Sequence, residues 1–555
     1  MTTSQARTSQ HGSNLVAAGI FLSRVAGLIR EVALSVALGL GPVTDAFRFA
    51  MRIPNVLQNL LGEGALSASF IPVYARLVGD GDRDGADRVA STVASMLAAV
   101  TVVLVGLGVL LAGPLVWLFT PWENDPDQFD LAVTLTRITT IGLGFLVLSA
   151  WCLGVLNSHR RFFLPYVAPV LWNGTQIAVL TVAIFGGWEL ETVAVATAWA
   201  VVAGGLAQLA IQLPKVTRLV PGLRPSLRRT AGVDDVLRRF APAVASRGVV
   251  QISSFVDTIL ATALVFGGLS SYAAALPLYL LPISLFGFSV AAAELAEMSR
   301  RSSEQEAVAA RVVPALRRVI VPAGFVTTTY LVAGRPIVDG LYGWLSRLFG
   351  RGFEANDVTA VALVLSAFAI GLPAAMTARI TQNTLYSLGD VRGPAKIAVV
   401  RLLVSIGVSV VAMLQLDWLF VSDGGTIERL ADVPHWPPWE RVPQDIRLAE
   451  DRPPHLGPVG LALGASAAAW TEWYLLRRLL RRRLGTPVRS GWAGLITGAS
   501  GAAGAVMIAI RLVGLPSPID AVVIVVAGGS VFVGALWMQG VRSLAAVASS
   551  HDQAD

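Results

Sequence analysis

The 555-residue sequence predicts an all-α polytopic membrane protein with about fourteen transmembrane helices. Three observations carry that prediction. Hydrophobic residues make up 54% of the chain and charged residues only 14%, against about 25% charged in soluble domains. Apolar runs near the ~20 residues that a span needs recur from end to end. The connections between them alternate between basic and Lys/Arg-poor, as a stitched membrane topology requires.

In order, the runs lie at 15–39, 43–77, 89–119, 131–157, 164–186, 191–212, 237–267, 271–297, 312–334, 357–387, 395–420, 457–480, 491–513 and 518–542. The second and tenth are the least regular, because they hold Pro54 and Pro373. A helix broken at membrane depth needs protein or water around it. The Lys/Arg-bearing, basic connections are "RLVGDGDRDGADR" (76–88, where four aspartates accompany three arginines), "NSHRRF" (157–162), "KVTRLVPGLRPSLRR" (215–229), "RR" (300–301), "DVRGPAK" (390–396) and "RRLLRRRLGTPVR" (477–489). The alternate set includes "GLGP" (39–42), "TPWENDPDQFD" (120–130), "GGWELE" (186–191), "FGGLSS" (266–271) and "GLPSP" (514–518). The positive-inside rule places the basic set in the cytoplasm, and an even span count then puts both termini there. The net charge of +7 is thus a topology signal and not a nucleic-acid footprint.

Several chemistries drop out. Met1–Asn14 is polar and the first apolar run carries arginines, so no cleavable signal peptide is expected. The single cysteine, Cys152, allows no intramolecular disulfide or cysteine metal site, and the five histidines show no ligand spacing. No phosphate-binding GxxxxGK[ST] loop occurs, so nothing suggests an ATPase within the chain, and no metal or cofactor is expected. Two segments on the outer side are longer: 335–357, and the Pro- and Trp-rich insertion 421–456, which reads as a surface loop or a partner contact. "ALGLGPVTDAFRFAMRIPNVL" (37–57) and "ALVFGGLSSYAAALPLYLLPISL" (263–285) are weakly alike, each following the first span of a six-span block. Parallel six-span repeats occur in transporters.

The sharpest feature is the charge inside the first two spans. "FLSRVAGLIREVALSVALG" (21–39) holds Arg24, Arg30 and Glu31. At about 100° per residue, Arg48, Arg52, Asn55, Asn59 and Glu63 all fall within about 80° of Asp45 on one stripe, with Gln58 on the opposite face. Arg24 and Glu31 are nearly eclipsed, whereas Arg30 lies about 120° away. Either Gly27 bends the helix so that both arginines point inward, or Arg24 lines a cavity while Arg30 meets a neighbouring helix. Intramembrane charges face a bundle interior or a hydrated cavity. Arg24, Arg30, Arg48 and Arg52 outnumber Glu31, Asp45 and Glu63, which suits an anionic substrate, phosphate above all. The competing possibility is a set of internal salt bridges that lock helices. Further along, Asp257 is a candidate ion-coupling site or a satisfied helix contact, Glu294 an interfacial carboxylate, and Arg379 and Arg401 lone cations of the tenth and eleventh spans.

The stretch "SRVAGLIREVALSVALGLGPVTDAFRFAMRIPNVLQNLLGEGALSASFIPVYARL" (23–77) closely resembles the amino-terminal signature of the MurJ (MviN) lipid II flippases. "LNSHRRFFLPYVAPVLWN" (156–173), "QLP" (212–214) and "LYSLGDVRGPAKIAVV" (385–400) add to it; the likeness fades from about residue 425. The resemblance implies a MATE-like fold within the multidrug/oligosaccharidyl-lipid/polysaccharide exporters. It would comprise a cytoplasmic tail (1–14), a six-helix bundle (15–236), a second bundle (237–488) with the outside loop, two extra helices (489–545) and a tail (546–555). Two bundles would enclose a central cationic cavity, and the extra helices would flank a groove for a lipid tail.

The resemblance also implies a function: moving undecaprenyl-diphosphate-linked peptidoglycan precursor across the plasma membrane by alternating access, driven by membrane potential or an ion gradient. Such a protein is not an enzyme. Its partners would be the precursor, membrane lipids and cell-wall synthesis proteins. Arg24, Arg30 and Asp45 match the family's essential positions, Arg52 a basic one, and Asn55 and Glu63 match as well. The chain departs at Gln58, and at Leu276 and Pro277, where members often carry charged residues; Arg48 and Arg379 are the substitutes at hand. Alternatives are a paralogue for another polyprenyl-diphosphate saccharide, a non-transporting cell-wall scaffold, and an exporter of cationic drugs, which the positive cavity disfavours.

Overall fold

The computed structural model describes residues 3–288, 305–390, 392–423, 425–430, 438–447, 453–484 and 493–539, with positions 290, 291, 294, 298 and 541. Its contacts divide into two compact units, Met1–Ala263 and Leu264–Asp555. Among the described residues nine helices are long and apolar enough to cross a membrane. The other five predicted spans are also helical over most of their length, and the arginine-bearing first two are among them.

The first unit holds α1 (Thr3–Leu38), α2 (Pro42–Leu61), α3 (Glu63–Gly79), α4 (Arg83–Leu110), α5 (Ala112–Phe119), α6 (Pro126–Ser158), α7 (Phe163–Gly186), α8 (Leu190–Leu219) and α9 (Ala231–Thr262). The predicted second span, 43–77, is two helices broken at Gly62 and not one. A Cβ at Gly62 would press on the Gln58 carbonyl, which accepts the Gly62 N–H at 2.7 Å, so the break needs a residue without a side chain. The core joins α3, α4, α6 and α9 through Leu66, Phe70, Tyr74, Val89, Trp151 and Val233. Helix α9, which the sequence places at the start of the second bundle, packs here on α2, α3 and α4.

The connection from α8 to α9 is fixed by side chains of α4. The backbone N–H groups of Gly222, Arg224 and Ser226 donate to Asp87 Oδ2 (2.8 Å), Ser91 Oγ (3.2 Å) and Ser95 Oγ (3.0 Å). Alternate N–H groups of a near-extended chain advance about 6.6 Å, and four-residue steps on a helix advance about 6 Å. The two repeats nearly match, so one polar stripe on α4 satisfies successive backbone donors. Thr92 Oγ1 reaches the Arg228 carbonyl at 3.2 Å and extends the contact.

The second unit holds α10 (Gly268–Pro282) running into a π-helical segment (Ile283–Phe288), α11 (Gln305–Val338), a second π segment (Asp339–Gly343), α12 (Trp344–Phe349), α13 (Ala355–Ser387), α14 (Arg392–Leu416), the strands β1 (Leu419–Val421) and β2 (Ile427–Arg429), α15 (Gln444–Arg447), α16 (Gly457–Leu484), α17 (Ala493–Val513) and α18 (Ile519–Met538). Helix α16 packs on α13 and α14. Small residues allow it: a Cβ at Gly460 would meet the Ala412–Met413 backbone, and one at Gly464 would meet Ser409. Helices α17 and α18 pack on each other and on α11 through Val321, Ala333, Met507 and Phe532.

The insertion after α14 is more ordered than a plain surface loop. Its strands pair antiparallel, Leu419 opposite Arg429, and Trp418 packs with Val265 and Val442. Residues 431–437 and 448–452 of that loop lie outside the described residues.

Three prolines inside helices share one arrangement. Each removes the N–H that the carbonyl four residues earlier would accept. Thr139 Oγ1 lies 3.1 Å from the Ala50 carbonyl freed by Pro54. Tyr330 OH donates at 2.7 Å to the Leu278 carbonyl freed by Pro282. Thr327 Oγ1 reaches the Ala369 carbonyl freed by Pro373 at 3.3 Å. Hydroxyls of a neighbouring helix thus stand against backbone groups that lipid cannot satisfy, although Thr139 shares its one proton with the Leu135 carbonyl of its own helix, 2.9 Å away.

Candidate functional site: arginines of the first two helices

Helix α1 ends at the glycine turn 39–41. Gly39, at φ 66°, donates its N–H to the Ser35 carbonyl at 2.9 Å, and Thr44 Oγ1 reaches the Leu38 carbonyl at 3.2 Å. The turn brings α2 back beside α1 and so brings together two of the predicted residues. Arg48 Nη1 donates to Glu31 Oε2 at 2.9 Å, and its other nitrogen, Nη2, binds Glu31 Oε1. This forked pair is enclosed: Glu31 is 2% exposed and the Arg48 side chain 14%. Arg30 Nη2 stands 3.8 Å from the same carboxylate.

Helix α1 runs as one helix through Gly27, and Arg24 and Arg30 do different things. The Arg30 guanidinium lies 5.0 Å from the centre of the Trp172 ring on α7, a cation–π geometry. Arg24 is exposed and makes no ion pair or hydrogen bond among the described residues. Arg52 is half-buried, and Asp45, in the first turn of α2, is buried. Asn59 donates to Asn55 Oδ1 at 2.9 Å on an exposed face, so these two share a side of α2 as their spacing predicts. The side chain of Glu63 lies outside the described residues. Between residues 21 and 61, four arginines stand against two carboxylates. Glu31 is occupied by Arg48 and Arg30, and among the described residues Arg24 has no partner.

The remaining candidates are dispersed. Asp257 is half-buried on α9. In the second unit Arg379 Nη1 donates to Gln382 Oε1 at 3.2 Å, and Gln382 donates to the Tyr386 hydroxyl at 2.9 Å. Arg401 pairs with Glu472 of α16 at 3.4 Å. Glu294, taken as interfacial from the sequence, is 6% exposed and held by Arg311 at 3.2 Å and Arg318 at 2.8 Å. Sequence reasoning missed Trp172 and Glu472. Nothing marks Trp172, which lies 142 residues from Arg30 in sequence. Glu472 had a signal, as a lone carboxylate between Trp470 and Trp473 in an apolar run. Among the described residues no group of three or more His, Cys, Asp or Glu side chains is placed to hold a metal.

The chain matches the family described as "Lipid II flippase MurJ" over residues 34–422. It is 33% identical over 393 residues to the lipid II flippase MurJ of Burkholderia cenocepacia, covering 69% of this chain and 74% of that one. It is 31% identical over 406 residues to the probable lipid II flippase MurJ of Haemophilus influenzae, covering 71% and 78%. Among solved structures it resembles lipid II flippase MurJ in an inward closed conformation, with a TM-score of 0.70 and 20% identity over 95% of this chain and 99% of that one. It also resembles an inward-facing multidrug resistance MATE family transporter of the MOP superfamily, with a TM-score of 0.59 and 16% identity over 83% and 94%. These last two likenesses are of fold.

Proposed function

The chain belongs to the MurJ family of lipid II flippases, and from that premise we propose that it carries lipid II from the cytoplasmic to the outer leaflet. It is a multi-pass membrane protein; the proposal places it in a bacterial plasma membrane with both termini in the cytoplasm. Transport of this kind breaks no covalent bond, so the protein acts as a carrier and not as a catalyst. The diphosphate is held by Arg24, Arg30 and Arg52. Guanidinium forks match phosphate oxygens two at a time. Arg48 contributes differently: locked to Glu31, it sets the spacing of α1 and α2 and adds positive potential. Asp45, Asn55, Asn59 and Glu63 support the polar stripe, and Arg379 does so in the second unit. Energy comes from the membrane potential or an ion gradient, with Asp257 as the coupling candidate; the field supplies about 2.3 kcal/mol per charge per 100 mV.

The observation that carries the proposal is Arg24, an exposed arginine inside a predicted span that has no ion pair or hydrogen bond among the described residues, on the same helix as a carboxylate already taken by two other arginines. The test is a leaflet-resolved lipid II assay on the purified protein in proteoliposomes. R24Q together with R52Q is expected to abolish transport while the protein inserts and elutes as wild type. Full transport by that variant refutes the assignment. A second substrate, another polyprenyl-diphosphate saccharide, is favoured by Gln58, Leu276 and Pro277, uncharged residues where the resemblance implies charged ones. Competition between the two lipids in the same assay separates them.

A further inference from the structure

We propose that the α8–α9 connection of the first unit is a preorganised ledge for the anionic phospholipid headgroups of the cytoplasmic leaflet. The level rests on the membrane orientation given above; the ledge itself rests on contacts. Asp87, Ser91 and Ser95 take the N–H groups of Gly222, Arg224 and Ser226, so the backbone of this segment is spoken for on its α4 side. The side chains of Arg224, Leu227 and Arg228 are left exposed, Leu227 to 65%. Arg218, Arg238 and Arg239, on the helix ends that flank the segment, are exposed as well.

Among the described residues none of the local acids pairs with Arg224 or Arg228. Asp87 accepts the Gly222 N–H, Asp234 binds Arg229 at 2.8 Å, and Asp235 stands 3.6 Å from Arg76. Arg224 and Arg228 make no ion pair with a described residue. A leucine between two open arginines, fixed on the first turns of a membrane-crossing helix, has the composition of an interfacial anchor: apolar tip toward the acyl boundary, guanidinium groups at phosphate level. Because α4 has already ordered the segment, binding a headgroup does not have to order the chain.

The experiment measures lipid preference on the full-length protein in detergent micelles, using fluorescent phosphatidylglycerol against fluorescent phosphatidylcholine. Wild type is expected to prefer phosphatidylglycerol, and the preference is expected to weaken as salt rises. Each arginine near an anionic surface contributes about 5-fold in affinity, so R224Q/R228Q is expected to lower phosphatidylglycerol binding by about 25-fold. R441Q, at an exposed arginine of the outer insertion, is expected to leave it unchanged. An unchanged preference in R224Q/R228Q, or an equal loss in R441Q, overturns the proposal. So does complete displacement by millimolar inorganic phosphate, which would mark a soluble phosphate site. The readout needs no lipid II, so it fails or succeeds independently of the transport assay.

Discussion

Replacing Glu31 by glutamine tests whether the Glu31–Arg48 pair is the lock between α1 and α2. Glu31 is 2% exposed, and it takes both ends of the Arg48 fork, with Arg30 3.8 Å away. Removing one partner of a buried pair costs roughly 3–5 kcal/mol, because the remaining charge stays desolvated. The Arg48 side chain keeps 14% of its exposure, so E31Q belongs near the lower end, about 3 kcal/mol. R48Q strands Glu31, but Arg30 stays beside it and softens the loss to about 2 kcal/mol. The double variant E31Q/R48Q replaces the pair by two amides that can bond each other, and is expected to lose only about 1 kcal/mol. The coupling across the cycle is therefore about 4 kcal/mol, far above the ~0.5 kcal/mol within which independent sites add. The assay is SDS-titrated unfolding of the four purified proteins in mixed micelles. A double variant as unstable as the sum of the two singles refutes the lock.

Three further outcomes are expected. T139V removes the hydroxyl beside the Ala50 carbonyl and should destabilise by about 1 kcal/mol in the same titration; in a P54A background, where the helical N–H returns, the cost should shrink, and an equal cost in both backgrounds contradicts the hydroxyl's role. G460A places a methyl against the Ala412–Met413 backbone and should cost at least about 1–3 kcal/mol; thermal stability equal to wild type would mean that α14 and α16 are not in close contact. Burial holds the His159 imidazole, 3.0 Å from Tyr74 OH, below its usual pKa. The unfolded chain then takes a proton near pH 6.5 that the folded chain refuses, so stability is full above about pH 6.5 and declines as pH falls toward the folded value. Melting curves at pH 7.5 and 5.5 should show a smaller drop for H159Q than for wild type; equal drops reject the assignment.

The spans were legible because lipid imposes a length and composition that any window of sequence reveals. The shared face of Asn55 and Asn59 was legible because helical geometry is local. What the sequence withheld concerns partners on other helices. Arg48 looked like one more phosphate ligand, and only its position across from Glu31 shows it committed. The spacing of Arg24 and Arg30 left two alternatives open, and Trp172 on α7 distinguishes their surroundings. The break at Gly62 was foreshadowed by Pro54 and Gly62, but whether a helix bends or ends depends on what packs at the break; here Ala150 of α6 comes within 3.4 Å of a Cβ placed at Gly62. Glu472 differs from these, since an isolated carboxylate in an apolar run is itself a local signal.

The match between the α8–α9 connection and α4 sets a rule for its length. Backbone donors at 222, 224 and 226 meet acceptors at 87, 91 and 95, two residues of one chain to four of the other. Inserting one residue would turn every following N–H away from its acceptor, whereas a two-residue change slides the pairing by one helical turn and restores it. The segment therefore has a parity: natural or engineered versions that keep this seam should differ in length by even numbers.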